Sequence, residues 1–282
     1  MIKLLRIFLK KYTPNLYNQS LPMRNFIYKN FFTQKNAINV LKEFAEFAPN
    51  VTGESSQKIE NTVFNIKNYT KYAVKLAGID RSINELSSLG NSSNRKLGNI
   101  FQKYGSDKKT HEYDYLYQKI IDSDADVKFI VEIGIGSNNP EVMSNMSQYG
   151  SPGASLKSFR DYIENSHVIG LEYDKSVLFS DDRIETFFYD QNSDSSVSEM
   201  ATKLENQVDL LIDDGLHSII ANINSIKLAE SVLKKGGYLV IEDIGSDSLN
   251  SFMVIFELVK SKFAIDIYTN KSCYVASLQK LY

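Results

Sequence analysis

The sequence predicts an α/β protein: a mostly parallel sheet closed by an antiparallel hairpin and preceded by a helical region. Three observations carry this expectation. From about residue 127 onward, short apolar β-branched runs alternate with helical runs, the pattern of a parallel sheet covered on both faces. Before that point, apolar residues recur at helical spacing. The last two apolar runs follow each other with only "NKS" between them, too short a link for a parallel crossover and suited to a hairpin.

In order along the chain, "NAINVLKEFAEFA", "NTVFNIKNYTKYAVKLAGI" and "SINELSSLGNSSNRKLGNIFQKYG" read as helices separated by polar breaks at Pro49, Gly53 and Gly90. The strands are "KFIVEIG", "HVIGLEY", "RIETFFYD", "VDLLIDD" and "GYLVIED". The helices between them are "ASLKSFRDYIEN", "SVSEMATKLEN", "SIIANINSIKLAESVLKK" and "SLNSFMVIFELVKSK". The hairpin is "FAIDIYT" with "CYVASLQ", its last strand at or near a sheet edge. Residues 1–100 are expected as a helical region for packing, oligomerisation or a substrate lid, and 101–282 as the sheet domain. The amphipathic helices of the first region lack an obvious core of their own, which predicts a homo-oligomer or docking on the sheet domain.

Composition narrows the function classes. A net charge of −2 over 282 residues gives no reason to expect a nucleic acid or an anionic membrane as partner. The single cysteine, Cys273, excludes an internal disulfide and a thiolate metal cluster, in keeping with a reducing, cytoplasmic setting. The basic opening "MIKLLRIFLKKYT" is interrupted by Lys3 and Arg6. It makes a poor signal peptide, is too short to span a bilayer, and reads as a helix packed on its own protein.

The strand ends carry the chemistry. Glycines 134 and 136 follow the first strand, allowing a tight turn and close approach of a ligand to backbone. Glu132 stands just before them. A dinucleotide fingerprint calls for a further glycine before the helix, and position 139 is Asn. The second strand ends in Glu172, placed for ribose hydroxyls, a feature shared by sheets that bind NAD and sheets that bind S-adenosyl-L-methionine. The terminal hairpin favours the latter. Asp190 and Gln191 end the third strand within reach of an adenine amine, and Asp213 closes the fourth on the same donor side.

The fourth and fifth strands end in "DDGLH" and "ED". Asp214, Glu242 and Asp243 at neighbouring strand ends would repel one another without a cation between them. Carboxylates without thiolates favour a hard ion, Mg²⁺ or alternatively Mn²⁺ or Ca²⁺. The competing reading of Asp214 is capping of the next helix. His217, read as lying in that helix's first turn, is the candidate proton acceptor.

The pieces "YGSDKKTHEYDYLYQ", "VEIGIG", "GSPGASLKSFRDYIENSHVIGLEYD", "DQNSD", "LLIDDGLHS" and "LKKGGYLVIEDI" together resemble the class I S-adenosylmethionine-dependent methyltransferases. More narrowly, they resemble the metal-dependent macrolide-sugar O-methyltransferases of the macrocin and mycinamicin type and the cephalosporin-hydroxylase-like group. The resemblance covers roughly residues 104–244. It implies a Rossmann-like sheet, S-adenosyl-L-methionine and Mg²⁺ as cofactors, and a hydroxyl of a sugar or glycan-pathway molecule as acceptor. It also implies metal ligation by Asp214, Glu242 and Asp243, and His217 as general base. His111 and Tyr113 fall in a segment that the family places over the active site, and Asp107 and Lys108 in the same signature. Two departures stand out: Leu216 replaces a small residue before the histidine, and "SNNPEVMSNMSQYG" replaces the glycine-rich loop. The other readings are a nucleotide-cofactor oxidoreductase on the same sheet and a non-catalytic binding module.

Overall fold

The computed structural model describes residues 81–282 except 92, 124–126, 147 and 149. The reading of residues 1–80 as helical, and of the opening segment as a packed helix, lies outside the described residues. The chain divides into two compact units, one formed by Ser82–Ser246 with Lys260–Tyr282 and the other by Met1–Arg81 with Asp247–Val259.

The first unit holds a nine-stranded sheet. Its strands are β1 (Ile83–Glu85), β2 (Phe129–Ile133), β3 (His167–Glu172), β4 (Ser180–Asp181), β5 (Ile184–Phe188), β6 (Val208–Asp213), β7 (Leu233–Ile244), β8 (Phe263–Thr269) and β9 (Tyr274–Lys280). Their order across the sheet is β1-β8-β9-β7-β6-β2-β3-β5-β4. The five central strands β5, β3, β2, β6 and β7 are mutually parallel. β9 is antiparallel to both β7 and β8. The expected hairpin is therefore present, with its last strand inserted between β7 and β8 rather than at the rim.

Among the described residues this unit has the α-helices α1 (Lys96–Tyr104), α2 (Tyr113–Ser123), α3 (Ala154–Tyr162), α4 (Asp194–Lys203) and α5 (Ile219–Val232). Alternation along the strands explains why the sheet is covered on both faces. Ile130, Val168, Ile184, Leu210, Ile212 and Val240 join one buried cluster with Phe101 of α1, Tyr117 of α2 and Phe159 of α3. The intervening Val131, Ile169, Leu211, Leu239 and Ile241 are buried as well, on the face that a strand's period of two dictates, and α5 packs on β6 and β7. Phe101, Tyr117 and Phe159 meet edge to face with centroids 5.2–6.4 Å apart, the geometry that aromatic quadrupoles prefer.

Two elements differ from the sequence reading. "SINE" belongs to a stretch read as helical, yet Ile83–Glu85 pair parallel with Ile267–Thr269 of β8, so an available sheet edge overrides local periodicity. The sheet-bearing unit accordingly begins at Ser82, on the near side of a boundary drawn at 100. The short β4, antiparallel to β5, has no signal in the sequence pattern. In the second unit, α6 (Leu249–Val259) carries Glu257, which pairs with Arg81 at 3.0 Å.

Candidate active site at the carboxyl ends of the central strands

A cavity of about 350 Å³ opens at the carboxyl ends of β2, β3, β5 and β6, the place where open parallel sheets bind ligands. It is lined by Gly134, Gly136, Glu172, Tyr173, Asp190, Gln191, Asp214 and Leu216, with Val142 and Met143 on the outer loop. The volume suits a nucleotide-sized molecule.

Backbone geometry shapes its floor. Gly134 has φ +83°, and a Cβ there would stand 2.2 Å from the Asp214 carbonyl oxygen. The absence of a side chain lets the β2 and β6 ends close up, tied by Asp214 N–H donating to the Ile133 carbonyl at 2.9 Å. Gly136 also adopts a left-handed φ, +87°, with Met146 Cε where a Cβ would come within 2.4 Å.

Glu172 is buried yet reaches the cavity. It accepts from Ile135 N–H at 3.1 Å and from Asp174 N–H at 2.9 Å, so it fastens the turn as well as facing a ligand. Each carboxylate oxygen keeps acceptor capacity for a hydroxyl. Asp174 is held below the usual carboxylate range by donors from Ser137 and Ser176. Tyr173, which the sequence reading passed over, is exposed beside the cavity with its ring 5.9 Å from that of Phe188. Its only signal was its place directly after Glu172.

Three donor-side candidates make internal contacts, and of these Gln191 also lines the cavity. Gln191 is spent internally: its amide donates to Asp213 at 2.7 Å and to Ser225 at 2.9 Å, and its carbonyl accepts from Leu216 N–H at 3.0 Å. Asp213 is fully buried and also accepts from Asn222 at 2.8 Å. The pair is a strap binding the β5 end to the loop after β6, which leaves Asp190 facing the cavity. Glu132, also fully buried, accepts from Ser155 and stands 3.1 Å from Lys108 Nζ. It does not line the cavity.

Beside the cavity lies a second, polar cluster. Asp214 Oδ1 is 3.8 Å and Asp243 Oδ2 3.9 Å from His217 Nε2, and ligating atoms of these three residues all lie within 4.8 Å of one another. His217 precedes α5 with a left-handed φ of 49° rather than lying in its first turn. The helix is capped by Ser218, whose hydroxyl accepts from Ala221 N–H at 3.2 Å. Asp214 is thus not the cap. Asp243 accepts from Tyr113 at 2.5 Å and faces the Cys273 thiol at 3.4 Å. Burial works against its charge, but the Tyr113 hydrogen bond and His217 prevail and keep it below the usual range. The same acid raises the Tyr113 phenol, after burial and Glu242. His111 stacks on Tyr113 with centroids 5.6 Å apart and joins Asp243 and Cys273 in a second group whose ligating atoms lie within 4.8 Å.

Glu242 faces the other way. Although adjacent to Asp243 in sequence, its two oxygens accept from Lys108 Nζ at 2.9 and 2.8 Å, and one also accepts from Tyr117. The structure therefore brings together Asp214, His217 and Asp243, and places Glu242 with the ammonium. Burial opposes the charge on Lys108, but Asp214, Glu242 and Glu132 outweigh it and hold its pKa well above the ordinary value. The signature "GSDKK" was the one sequence sign of this lysine, and periodicity gives no hint that it is buried.

No family model matches the sequence. The curated relatives include the 8-demethyl-8-alpha-L-rhamnosyl tetracenomycin-C 2'-O-methyltransferase of Streptomyces olivaceus, 24% identical over 163 residues, 57% of this chain and 41% of the relative. Another from the same organism is the 8-demethyl-8-(2-methoxy-alpha-L-rhamnosyl)-tetracenomycin-C 3'-O-methyltransferase, 25% identical over 171 residues, covering 58% and 40%. The chain spans about two fifths of the length of these relatives. Among solved structures, the methyltransferase MycE from the mycinamycin biosynthetic pathway, in complex with Mg and SAH, matches with a TM-score of 0.53 and 21% identity, over 66% of this chain and 54% of that one. The parallel core, the inserted antiparallel strand and these likenesses agree with the sequence reading: the chain has the Rossmann-like fold of the class I methyltransferases and resembles sugar O-methyltransferases.

Proposed function

We propose that the protein transfers a methyl group from S-adenosyl-L-methionine to a hydroxyl oxygen of a sugar or glycan-pathway small molecule, assisted by a divalent cation. The observation that carries this reading is the junction of two features at Asp214. That residue lines the nucleotide-sized cavity and also belongs to the Asp214–His217–Asp243 cluster. A donor held in the cavity therefore points toward an acid–imidazole group built for an acceptor.

The residues divide the work. The Gly134–Gly136 turn admits the methionine half against bare backbone, Glu172 takes the ribose diol, and Asp190 with Tyr173 borders the base. Methyl transfer forms an O–CH₃ bond and breaks the S–CH₃ bond by in-line displacement, so alignment of the two partners is the protein's main contribution. His217 Nε2 takes the hydroxyl proton, and the imidazolium so formed stands between two carboxylates. Asp214 and Asp243 suit a hard divalent ion, which commonly uses one or two carboxylates and leaves further positions open. When bound, such an ion supplies positive charge that makes a nearby hydroxyl more acidic. Tyr113 orients Asp243 through its 2.5 Å hydrogen bond, and His111 stacks over it from the acceptor side.

The relatives' names support a sugar hydroxyl as acceptor, and MycE's complex with Mg and SAH supports the pairing of ion and donor. No helix among the described residues is long and apolar enough to cross a membrane. A cytoplasmic homo-oligomer that binds no nucleic acid belongs to the same reading. The test is incubation with methyl-labelled S-adenosylmethionine and a panel of rhamnosyl and other glycosyl acceptors, with and without chelator. Label should move to an acceptor oxygen only when divalent ion is present. Transfer undiminished in a demonstrably metal-free protein would remove the ion from the reaction.

A further inference from the structure

Lys108 pairs with two of the three acids expected around a metal ion, Asp214 and Glu242, and with Glu132 in place of Asp243. It is 2% exposed and is carried by the short 3-10 turn Asp107–Lys109 ahead of α2. Its Nζ lies 2.7 Å from Asp214 Oδ2, 2.8 Å from Glu242 Oε2 and 3.1 Å from Glu132 Oε1. These acids come from three neighbouring strands, β2, β6 and β7. The ammonium donates to Asp214 and to both oxygens of Glu242, while Glu132 stands beside it as an ion-pair partner. Two of the acids, Glu132 and Glu242, are almost completely buried, where a carboxylate without a partner is strongly unfavourable.

The end of β7 divides its two acids. Glu242 turns inward to Lys108 and Tyr117. Asp243, with a left-handed φ of 53°, turns out toward Tyr113 and His217. Asp214 is shared, one oxygen on Lys108 and the other on the His217 side. We propose that Lys108 is a fixed internal cation that withholds Glu242 and Glu132 from the divalent ion, leaving Asp214 and Asp243 as its carboxylate ligands. Lys108 is then a positioning residue. It holds Glu242 away from the ion and aims the free oxygen of Asp214 outward. This inference rests on the metal-assisted reading above and specifies which acids serve it.

Mn²⁺ titration of the full chain, followed by calorimetry and by the paramagnetic signal of free Mn²⁺, tests it without reference to activity. Asp243→Asn should weaken Mn²⁺ binding by at least about tenfold, the scale on which metal sites respond to altered ligand shells. Glu242→Gln should change it by less than about threefold, as expected of a nearby charge that is not a ligand. Lys108→Met should tighten Mn²⁺ by about tenfold or more, because the vacated acids recruit the ion, and should make the melting temperature depend on Mn²⁺. Lys108→Met risks failing to fold, so Glu242→Gln carries the decision. If Glu242→Gln weakens Mn²⁺ as much as Asp243→Asn does, Glu242 is a ligand and the inference is overturned while the metal-assisted reading stands. If the unaltered protein binds no Mn²⁺, the metal-assisted reading falls and takes this inference with it.

Discussion

His217 Nε2 lies 3.9 Å from Asp243 Oδ2, and both residues hold left-handed backbones, with φ 49° and 53°. That conformation costs an L-residue roughly 1–2 kcal/mol, and strain of this kind collects where a fold positions chemistry. His217 lies in the loop between β6 and α5 and Asp243 near the end of the neighbouring β7, with their side chains turned toward one another. We predict that His217→Ala slows methyl transfer by on the order of 10²–10⁴ while leaving S-adenosylhomocysteine affinity unchanged. Steady-state kinetics beside calorimetry checks this, and unaltered turnover would deny His217 the proton.

Gly134 is the point where β2 and β6 touch. An added Cβ would meet the Asp214 backbone at 2.2 Å, and its φ of +83° is itself unfavourable for other residues. Gly134→Ala should lower stability by more than about 1 kcal/mol and shift Asp214, weakening both donor and Mn²⁺ binding. Urea unfolding with ligand titrations checks this. A variant of unchanged stability would mean that the strand ends part without penalty.

The buried acids set a pH dependence. Burial, with Asp214 adding to it at Glu242, raises Glu132 and Glu242 above their ordinary values. A carboxyl whose folded pKa is raised makes stability fall as pH climbs from the unfolded value, about 4.3, through the folded one. Lys108 is raised instead, so its contribution is complete below about pH 10.4 and is lost only as pH rises through its folded value. Unfolding free energies of Glu242→Gln relative to the unaltered chain should therefore move in the variant's favour from about pH 4.5 upward. A constant difference across that range would place Glu242 in an ordinary, solvated environment.

Lys108→Met removes the ammonium that pairs with Glu132, Asp214 and Glu242. Breaking a buried ion group by removing one member typically costs about 3–5 kcal/mol. The double variant Lys108→Met with Glu242→Gln should recover part of the loss. Chemical denaturation of the single and double variants measures this, and additive losses would mean that the two side chains do not act as a pair.

Much of the fold was legible because parallel strands buried on both faces must be apolar throughout, as in "KFIVEIG" and "VDLLIDD". The hairpin was legible because "NKS" leaves no room for a crossover. Ile83–Glu85 were not, since a three-residue edge strand depends on a partner, β8, far along the chain. At the site, acids at strand ends were visible, but their partners were not. Glu242 and Asp243 are neighbours within β7, so a strand's period of two already sends them opposite ways; what the sequence does not report is which partners wait on each side, Lys108 and Tyr117 on one and Tyr113 and His217 on the other. Gln191 looked free for a ligand because its partners, Asp213 and Ser225, are brought to it only by the sheet and α5.

The reaction depends on the cavity beside Gly134 and Glu172 receiving the adenosyl donor. The most direct measurement is calorimetric titration of the full chain with S-adenosylhomocysteine, with NAD as the parallel ligand and Glu172→Ala as the variant. S-adenosylhomocysteine should bind saturably, more weakly by ~1–3 kcal/mol in Glu172→Ala through loss of a charged acceptor, and NAD should not bind. Binding of NAD in place of S-adenosylhomocysteine, or S-adenosylhomocysteine bound equally well by the Glu172→Ala variant, would contradict that placement of the donor.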